Sequence, residues 1–349
     1  MSKPTLRDVA ALAGVDPSTV SRVLNGKAGG RVRPETKARI LETATQLNYQ
    51  PNILAKGLRQ KQSRTIAAVI PDLVSPHIPE MLKGVKQGAM EHGYTVFISY
   101  LDQGSLEQEQ HLSLLRESRV DGLILLFDTL DDNVVAELMD TNSPFVLVNQ
   151  RATASSNFVI VDDVAGARMA VKYLAGLGHT RIAYLSGELM IDCALRRFQG
   201  YRRGLEDHGI PFQNALMEES SLISWLEGKR AMERLLARDV GPTAVIAGNI
   251  VIATGAMAAV RDAGLRIPED ISIVGIQDAP LAEVLAPPLT VVGMPLYEMG
   301  RSAAVSLIDL LTGRSSNISP KVLAPTGMVL RRSAAKPPTQ VIEKRSVSN

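Results

Sequence analysis

Short apolar segments alternate with amphipathic segments from Ser63 to about residue 330, and this alternation constrains the fold of the chain most strongly. Short apolar runs favour buried strands, whereas apolar residues at helical spacing favour amphipathic helices. Strands that alternate with helices assemble into parallel sheets, and the length of this region suits two α/β lobes. The predicted strands are Ile66–Ile70, Thr95–Ser99, Leu123–Phe127, Phe145–Val148, Phe158–Val161, Ile182–Leu185, Ala244–Ala247 and Ile271–Ile276. The predicted helices between them include Pro79–His92, Ser105–Arg119, Val164–Leu177, Arg230–Arg238 and Ala253–Ala263.

The charge of the chain is unevenly distributed along its length. Residues 1–62 contain eleven Lys or Arg and four Asp or Glu, a net charge of +7, whereas the whole chain carries only +2. A compact basic segment attached to an acidic body is the electrostatic pattern of a nucleic-acid-binding module. A solvated basic segment gives the same charge pattern, so the charge alone leaves both interpretations open.

The basic segment has the local signals of a helix-turn-helix. Thr5 and Asp8 have the spacing of a capping box at the start of a first helix, and Gly14 can end that helix. Asp16 is placed to cap a second helix, Pro17–Leu24, whose first residue is a proline. Two short helices joined by a tight turn form a helix-turn-helix.

A third helix is predicted from Pro34 to about Leu47, where its apolar residues can cover the first two helices. In a helix-turn-helix the second helix enters the major groove, with its N-terminal residues at the base edges. Here those residues include Ser18 and Arg22, and Arg22 can bond to a guanine or clamp a phosphate.

Several motifs, in order along the chain, resemble transcription factors of the LacI/GalR family. They are Asp8-Val9-Ala10, Ala13-Gly14-Val15, Thr19-Val20-Ser21-Arg22-Val23-Leu24-Asn25, Leu47-Asn48-Tyr49-Gln50-Pro51-Asn52, Ala55-Lys56-Gly57-Leu58, Val120-Asp121-Gly122, Leu177-Gly178-His179-Thr180-Arg181-Ile182-Ala183, Pro268-Glu269-Asp270-Ile271-Ser272-Ile273-Val274-Gly275 and Pro288-Leu289-Thr290. The resemblance covers about residues 4–330.

The resemblance implies four parts in the chain. These are an all-α helix-turn-helix headpiece at residues 1–49, a hinge linker at 50–62, a two-lobed periplasmic-binding-protein-like α/β domain with parallel sheets at 63–330, and a basic, disordered tail at 331–349. The two-lobed domain is expected to bind an effector and to form a homodimer. The chain is expected to cross between the lobes near Val161–Val164, Thr290–Met294 and Pro320–Leu323.

The helix-turn-helix and the resemblance together predict which residues contact DNA. They are Thr5, Pro17, Ser18, Thr19, Ser21, Arg22, Asn25, Tyr49, Asn52, Ala55, Lys56 and Leu58. Leu58 matches the family's leucine that opens a central base step from the minor groove, an apolar wedge that kinks the duplex. The headpiece departs from the family at Gly26–Arg31, about two residues longer than usual, and at Arg33, where a Ser or Thr often caps the third helix.

Ligands of open α/β sheets bind beyond the carboxyl ends of the strands, so the residues that follow the predicted strands are candidates for an effector site. The resemblance adds Arg197, which matches an effector-binding arginine, and Trp225, which lies close to the position of a sugar-stacking aromatic residue. The predicted effector-binding residues are His77, Ile78, Phe127, Asn149, Arg151, Asp163, Arg197, Trp225, Asn249 and Gln277.

The predicted pocket has fewer acids than a sugar-binding relative often carries. Asn149, Ile250 and Gln277 are neutral where such relatives often have carboxylates, while Arg197 is retained. Carboxylates bind sugar hydroxyls through charge-assisted hydrogen bonds. We therefore expect an anionic effector, a sugar acid or a phosphorylated compound, ahead of a neutral sugar.

Signals for catalysis, metals or membranes are weak. The sequence has no phosphate-binding Gly-x-x-x-x-Gly-Lys-Ser/Thr loop and no Gly-x-Ser-x-Gly elbow, and its five histidines lack metal-ligand spacing. Cys193 is the single cysteine, which suits a reducing compartment, and apolar runs such as Gly122–Phe127 are too short to span a membrane. No apolar segment of a signal peptide follows Met1. We expect no enzyme activity, cofactor or metal, and a cytoplasmic location.

These features favour a DNA-binding transcriptional regulator. We expect a dimeric repressor that binds a near-palindromic operator and is controlled by a small-molecule effector. Two alternatives remain: a regulator that activates or that represses with a co-repressor, and a solute-binding protein without a role on DNA.

Overall fold

The structure is a computed structural model, and it describes residues 4–24, 32–49, 62–71, 75–100, 119–126, 132–153, 155–220, 224–238 and 240–338. The chain separates into two compact units, Met1–Ser63 and Arg64–Asn349. We call the first unit the headpiece unit and the second the body. In the described part of the chain, the structure contains no helix long and apolar enough to cross a membrane.

In its described residues, the headpiece unit contains three helices around a small apolar core. They are α1 (Leu6–Ala13), α2 (Pro17–Leu24) and α3 (Pro34–Gln46). Val9, Val20 and Ile40, one from each helix, are fully buried together. This packing confirms the three helices that the sequence predicts.

The ends of the headpiece helices follow the sequence signals. The amide of Thr5 donates to Asp8 Oδ2 over 2.7 Å, and the Thr5 hydroxyl accepts from the Asp8 amide, so the capping box is present. Gly14 has a φ of +63°, and the Ser18 amide donates to Asp16 Oδ1 at 2.7 Å. Arg33 gives α3 no side-chain cap, so this departure from the family leaves the helix start without that hydrogen bond.

The body alternates strands and helices along its length. In chain order they are β1 (Thr65–Ile70), α4 (Ile78–Glu91), β2 (Thr95–Tyr100), β3 (Gly122–Leu125), α5 (Asp132–Asp140), β4 (Phe145–Val148), β5 (Phe158–Val161), α6 (Asp163–Gly176), β6 (Ile182–Ser186), α7 (Asp192–Asp207), a 3-10 turn (Asn214–Leu216), β7 (Met217–Glu219), α8 (Trp225–Ala237), β8 (Ala244–Ala247), α9 (Ile250–Asp262), β9 (Ser272–Ile276), α10 (Pro280–Val284), β10 (Thr290–Gly293), α11 (Leu296–Leu311), β11 (Lys321–Leu323) and β12 (Gly327–Val329).

These strands form two six-stranded sheets, and each sheet is the centre of one lobe. The sheet of the N-lobe has the order β11-β5-β4-β3-β1-β2, with every neighbouring pair parallel. The sheet of the C-lobe has the order β12-β10-β9-β8-β6-β7, and only the β10–β12 pair is antiparallel. The fold is therefore the two-lobed, parallel-sheet architecture that the sequence predicts.

Within the part of the body that the structure describes, the chain crosses between the lobes three times. The first crossing lies between β5, in the N-lobe sheet, and α6, which packs against C-lobe strands. The second lies between β10, in the C-lobe sheet, and α11, which packs against N-lobe strands. The third crossing joins β11 to β12. The crossings thus fall within a few residues of the positions implied by the family resemblance.

Some elements differ from the sequence-based prediction. The eight predicted strands are present, with ends that differ by at most two residues where described, but β7, β10, β11 and β12 were not predicted. The helices α5, α7, α10 and α11 were not among the five named as examples. The predicted helix Ser105–Arg119 lies almost entirely outside the described residues.

The prediction of a disordered tail is wrong for residues 331–338. The Ser333 hydroxyl donates to the carbonyl of Ile273 at 2.6 Å and accepts from the amide of Thr290 at 2.8 Å. The Ala335 carbonyl accepts from the hydroxyl of Ser272 at 3.1 Å. This stretch is ordered because its polar groups complete hydrogen bonds at the C-lobe sheet; residues 339–349 lie outside the described part.

Candidate functional site

The exposed face of α2 carries the predicted DNA-contacting residues of the headpiece. Pro17, Ser18 and Arg22 are exposed, whereas Val20 and Val23 on the other face are buried in the core. Thr19 and Ser21 are half-buried beside them. This division leaves polar side chains at the N-terminal part of α2 available to a groove of DNA.

The other predicted DNA contacts have mixed positions. The Thr5 hydroxyl donates to Asp8 Oδ2 at 2.8 Å, so it is engaged in the capping box. Tyr49 is half-buried and packs against the headpiece core. Outside the described residues lie the long loop 26–31 and the predicted contacts Asn25, Asn52, Ala55, Lys56 and Leu58.

In the body, buried polar residues follow the ends of strands in both lobes. Asn149 follows β4 of the N-lobe with a φ of +70°, and Gln277 follows β9 of the C-lobe with a φ of +73°. Both are at most 4% exposed. Left-handed backbone in residues other than glycine is strained and clusters at functional sites. The two residues therefore mark the facing ends of the two sheets as a candidate site, which we call the cleft.

The expectation of an anionic effector assumed that Arg197 faces the cleft without a counter-charge. The structure instead gives Arg197 a carboxylate partner. Its Nε donates to Asp163 Oδ1 at 2.7 Å, and its Nη1 donates to the carbonyl of Gly248 at 2.8 Å. Arg197 is 5% exposed and Asp163 is fully buried. The premise that led to an anionic effector is therefore wrong, because a protein carboxylate neutralises this guanidinium.

The same carboxylate also holds Arg196. Its Nη2 donates to Asp163 Oδ2 at 2.6 Å, and the Arg196 side chain is itself buried. Burial opposes the charge on Arg197, but the adjacent Asp163 outweighs it, so the pKa of Arg197 lies above its ordinary value. For Arg196, burial prevails over the same carboxylate, and its pKa lies below its ordinary value.

Arg151 is also paired within the protein. Its Nη2 donates to Asp192 Oδ1 at 2.8 Å, and its backbone amide donates to Asp192 Oδ2 at 3.0 Å. Arg151 follows β4 of the N-lobe, whereas Asp192 begins α7 of the C-lobe. The pair joins the two lobes.

The remaining predicted effector contacts fall into four groups. Asn249 is buried and caps α9, since its Oδ1 accepts from the amide of Ile252 at 2.8 Å. His77 is buried at the start of α4, and Ile78 lies in the apolar core of the body. Trp225, 57% exposed, begins α8. Phe127 lies outside the described residues.

Sequence reasoning missed three polar residues of this region: Ser186, Asp192 and Arg196. Ser186 is fully buried at the end of β6, and the strand-end rule applied to this strand finds it. Asp192 and Arg196 are four residues apart and form an ion pair on α7. α7 was not among the helices named from the sequence, so nothing indicated that these two residues lie one helical turn apart.

Comparisons with known proteins agree with this architecture. A model of the lacI family of bacterial regulatory proteins matches residues 5–52, and a model of a periplasmic binding protein-like domain matches residues 171–334. The chain is 33% identical over 341 residues to the HTH-type transcriptional regulator DegA of Bacillus subtilis (strain 168), covering 95% of this chain and 98% of DegA.

Two solved structures are similar over nearly their whole length. The lac repressor dimer bound to operator and the anti-inducer ONPF has 29% identity and a TM-score of 0.84, covering 96% of this chain and 100% of that one. The complex of the transcriptional regulator CelR with cellobiose has 31% identity and a TM-score of 0.73, covering 95% and 99%. With a headpiece and a body that both match, this chain belongs to the lacI family of bacterial regulatory proteins and is a helix-turn-helix transcriptional regulator.

Proposed function

We propose that the chain is a cytoplasmic, homodimeric repressor that binds a near-palindromic operator and releases it in response to a small molecule held in the cleft. The lac repressor supports this proposal, since it binds operator as a dimer, and so does CelR, which binds cellobiose. Two headpieces at a fixed spacing read a two-fold symmetric site. The match of the lacI model to residues 5–52 removes the alternative of a solute-binding protein without a role on DNA.

We further propose an uncharged, hydroxylated effector, and the observation that carries this choice is Asp163. Its two oxygens accept from Arg196 and Arg197, and Arg196 also pairs with Asp192. Arg151 also binds Asp192, so three guanidinium groups share these two carboxylates. Arg197 nevertheless has a carboxylate partner within the protein, so it does not need an anion from the effector.

Gln277 supports the hydroxylated character of the proposed effector. It is 2% exposed, and its side-chain oxygen has no hydrogen-bond partner within the ranges that the structure describes. Buried polar atoms are nearly always hydrogen-bonded, so this acceptor calls for a donor. A hydroxyl or amide of an effector supplies one. Sugar acids and sugar phosphates also carry hydroxyls, so this atom calls for a donor group and does not decide the net charge of the effector.

A thermal-shift screen of the full chain tests the effector class. Neutral sugars and nucleosides are compared with sugar acids and sugar phosphates at equal ionic strength, because a ligand that binds only the folded state raises the melting temperature. We expect stabilisation by at least one neutral compound. Stabilisation confined to anions would overturn the charge argument and restore the expectation made from the sequence.

The direction of control is tested with DNA that the full chain itself selects from a random duplex pool at fixed salt. The stabilising compound is then added to the complex with the selected duplex. Release of the duplex supports a repressor controlled by an inducer. Tighter binding would instead favour the alternative of co-repressor control.

A further inference from the structure

Asp192 is bound from the N-lobe by both the side chain and the backbone of Arg151. Nη2 and Nε of Arg151 lie 2.8 and 3.1 Å from Asp192 Oδ1, and the Arg151 amide lies 3.0 Å from Asp192 Oδ2. A forked guanidinium on a carboxylate fixes direction as well as distance. Because the backbone amide of Arg151 also binds Asp192, the contact holds the segment that follows β4 as well as the Arg151 side chain.

Arg196 strengthens this junction from the C-lobe side. It lies one helical turn after Asp192 on α7 and pairs with the same carboxylate through Nη1. Its Nη2 reaches the carbonyl of Asn149 at 3.3 Å and Asp163 Oδ2 at 2.6 Å. The segment 149–151 is therefore held to α7 at both of its ends.

These contacts join two separate sheets, although one buried apolar cluster contains residues of both lobes. Asn149 and Arg151 follow a strand of the N-lobe sheet, while Asp192 and Arg196 lie on a helix that packs against α6 in the C-lobe. A movement of one lobe against the other breaks the contacts between these residues without unfolding either sheet. Arg151 is 46% exposed and Asp192 20% exposed, so solvent partly screens the ion pair.

We propose that Arg151 and Asp192 are positioning residues that form an interlobe latch, which sets how readily the cleft opens and so tunes the response to effector. This role replaces the expectation that Arg151 contacts the effector. It rests on the proposed effector control of the body, since lobe movement is taken to change operator affinity.

The latch itself is tested without effector or DNA, in the full chain. Spin labels are placed at Lys86→Cys on α4 and Arg203→Cys on α7, both exposed, and unlabelled chain is added so that distances within one protomer dominate. Pulsed dipolar spectroscopy then gives the distribution of the interlobe distance. We compare the unaltered latch with Arg151→Gln and Asp192→Asn.

The control is Asp207→Asn, which removes the exposed ion pair of Asp207 with Arg168 at the other end of α7, within the C-lobe. We expect one interlobe distance with the intact latch and with the control, and a second population of changed distance in Arg151→Gln and Asp192→Asn. Arg151→Lys, which keeps the charge but loses the fork, is expected to be intermediate. An unchanged distribution in both latch variants, or an equal change in the control, would overturn the proposal.

The consequence for regulation has a separate readout. Using the duplex selected by the unaltered chain as probe, we expect Arg151→Gln to change the operator Kd by about three-fold or more, with Asp207→Asn unchanged. A changed interlobe distance with an unchanged operator Kd would support the latch but refute its coupling to DNA binding. Failure to select any duplex would refute the proposed repressor function, while the distance measurement would stand.

Discussion

Asp163 is the residue on which the buried charges of the body depend. It is fully buried, and its two oxygens accept from two arginines that are themselves at most 5% exposed. The sequence named Asp163 and Arg197 separately, because each falls at a position that the strand-end rule or the family resemblance identifies. It could not show that they meet, since the contact joins residues 34 positions apart through the packing of α6 on α7.

Asp163→Asn is expected to destabilise the body strongly. It leaves two buried guanidinium groups with one fewer counter-charge, and breaking a buried pair costs about 3–5 kcal/mol. Urea unfolding of the full chain measures the loss. Glu80→Gln, which removes an exposed pair with Lys83, is the control and should cost less than about 1 kcal/mol. A loss for Asp163→Asn as small as that of the control would mean that water already compensates these charges.

Arg22→Ala tests the DNA-facing side of α2. Arg22 is exposed, so its removal should leave the melting temperature unchanged. We expect binding of the selected duplex to weaken by about 1–3 kcal/mol, the range of a lost bidentate base contact. Anisotropy titrations at one salt concentration measure the effect, with Arg39→Ala on α3 as a control of equal charge. Equal losses from both variants would show that Arg22 contributes only its charge.

At the scale of elements, strands that carry their own apolar run were predictable, and strands that depend on a distant partner were not. Phe145–Val148 and Phe158–Val161 have the bounds that the sequence gives, because each consists entirely of strongly apolar residues. β11 and β12 are three residues long and not fully buried, so their strand state comes from pairing with β5 and β10. Local propensity carries little information about such pairing.

α4 and α11 show a second feature that only the structure reveals, a close approach of two backbones at glycines. A Cβ added to Gly84 falls 1.9 Å from the carbonyl oxygen of Tyr297, and one added to Gly300 falls 2.0 Å from that of Met81. Backbone atoms cannot yield as a flexible side chain does. The N-lobe therefore needs glycine at both positions to seat these helices.

Gly300→Ala is accordingly expected to destabilise the chain by about 1–3 kcal/mol, as overpacking does. The matched control is Gly176→Ala at the end of α6, where nothing lies within 4 Å of the added carbon. That substitution should be neutral or slightly stabilising, by up to about 1 kcal/mol, because alanine has the higher helix propensity. Denaturant midpoints report both changes. A neutral Gly300→Ala would mean that α4 and α11 can separate at little cost.

The burial of His179 makes the stability of the body depend on pH. This histidine is 1% exposed and joins Thr243 and the carbonyl of Ala335 through its two ring nitrogens. Burial lowers the pKa of His179 below its usual value, although the bond to the Ala335 carbonyl acts in the opposite direction. The unfolded chain therefore binds a proton at His179 more readily than the folded chain does.

The free energy of unfolding should therefore fall as the pH drops below about 6.5, the range in which only the unfolded chain gains the proton. His179→Gln, which does not titrate, should show a smaller decrease over the same interval. Chemical unfolding at several pH values between 5 and 8 measures the difference. Parallel profiles for the two proteins would show that His179 keeps an ordinary pKa.

At the scale of the whole molecule, the headpiece unit and the body each have the form their role requires. The headpiece unit presents a polar face of α2 over a closed apolar core. In the body, two buried arginines both bind Asp163, and Arg151 and Asp192 join the two lobes. Charge asymmetry and ordered motifs in the sequence were sufficient to predict this division; the balance of charge inside the cleft required the three-dimensional contacts.

The most direct test of regulation on DNA is the specificity ratio of the full chain. This ratio is the Kd for a scrambled duplex of equal length and composition divided by the Kd for the selected duplex. Both are measured at one fixed salt concentration. A sequence-specific regulator should prefer its own site by about a thousand-fold or more. A ratio near one, with the fold intact, would contradict the assignment of the headpiece as a reader of operator sequence.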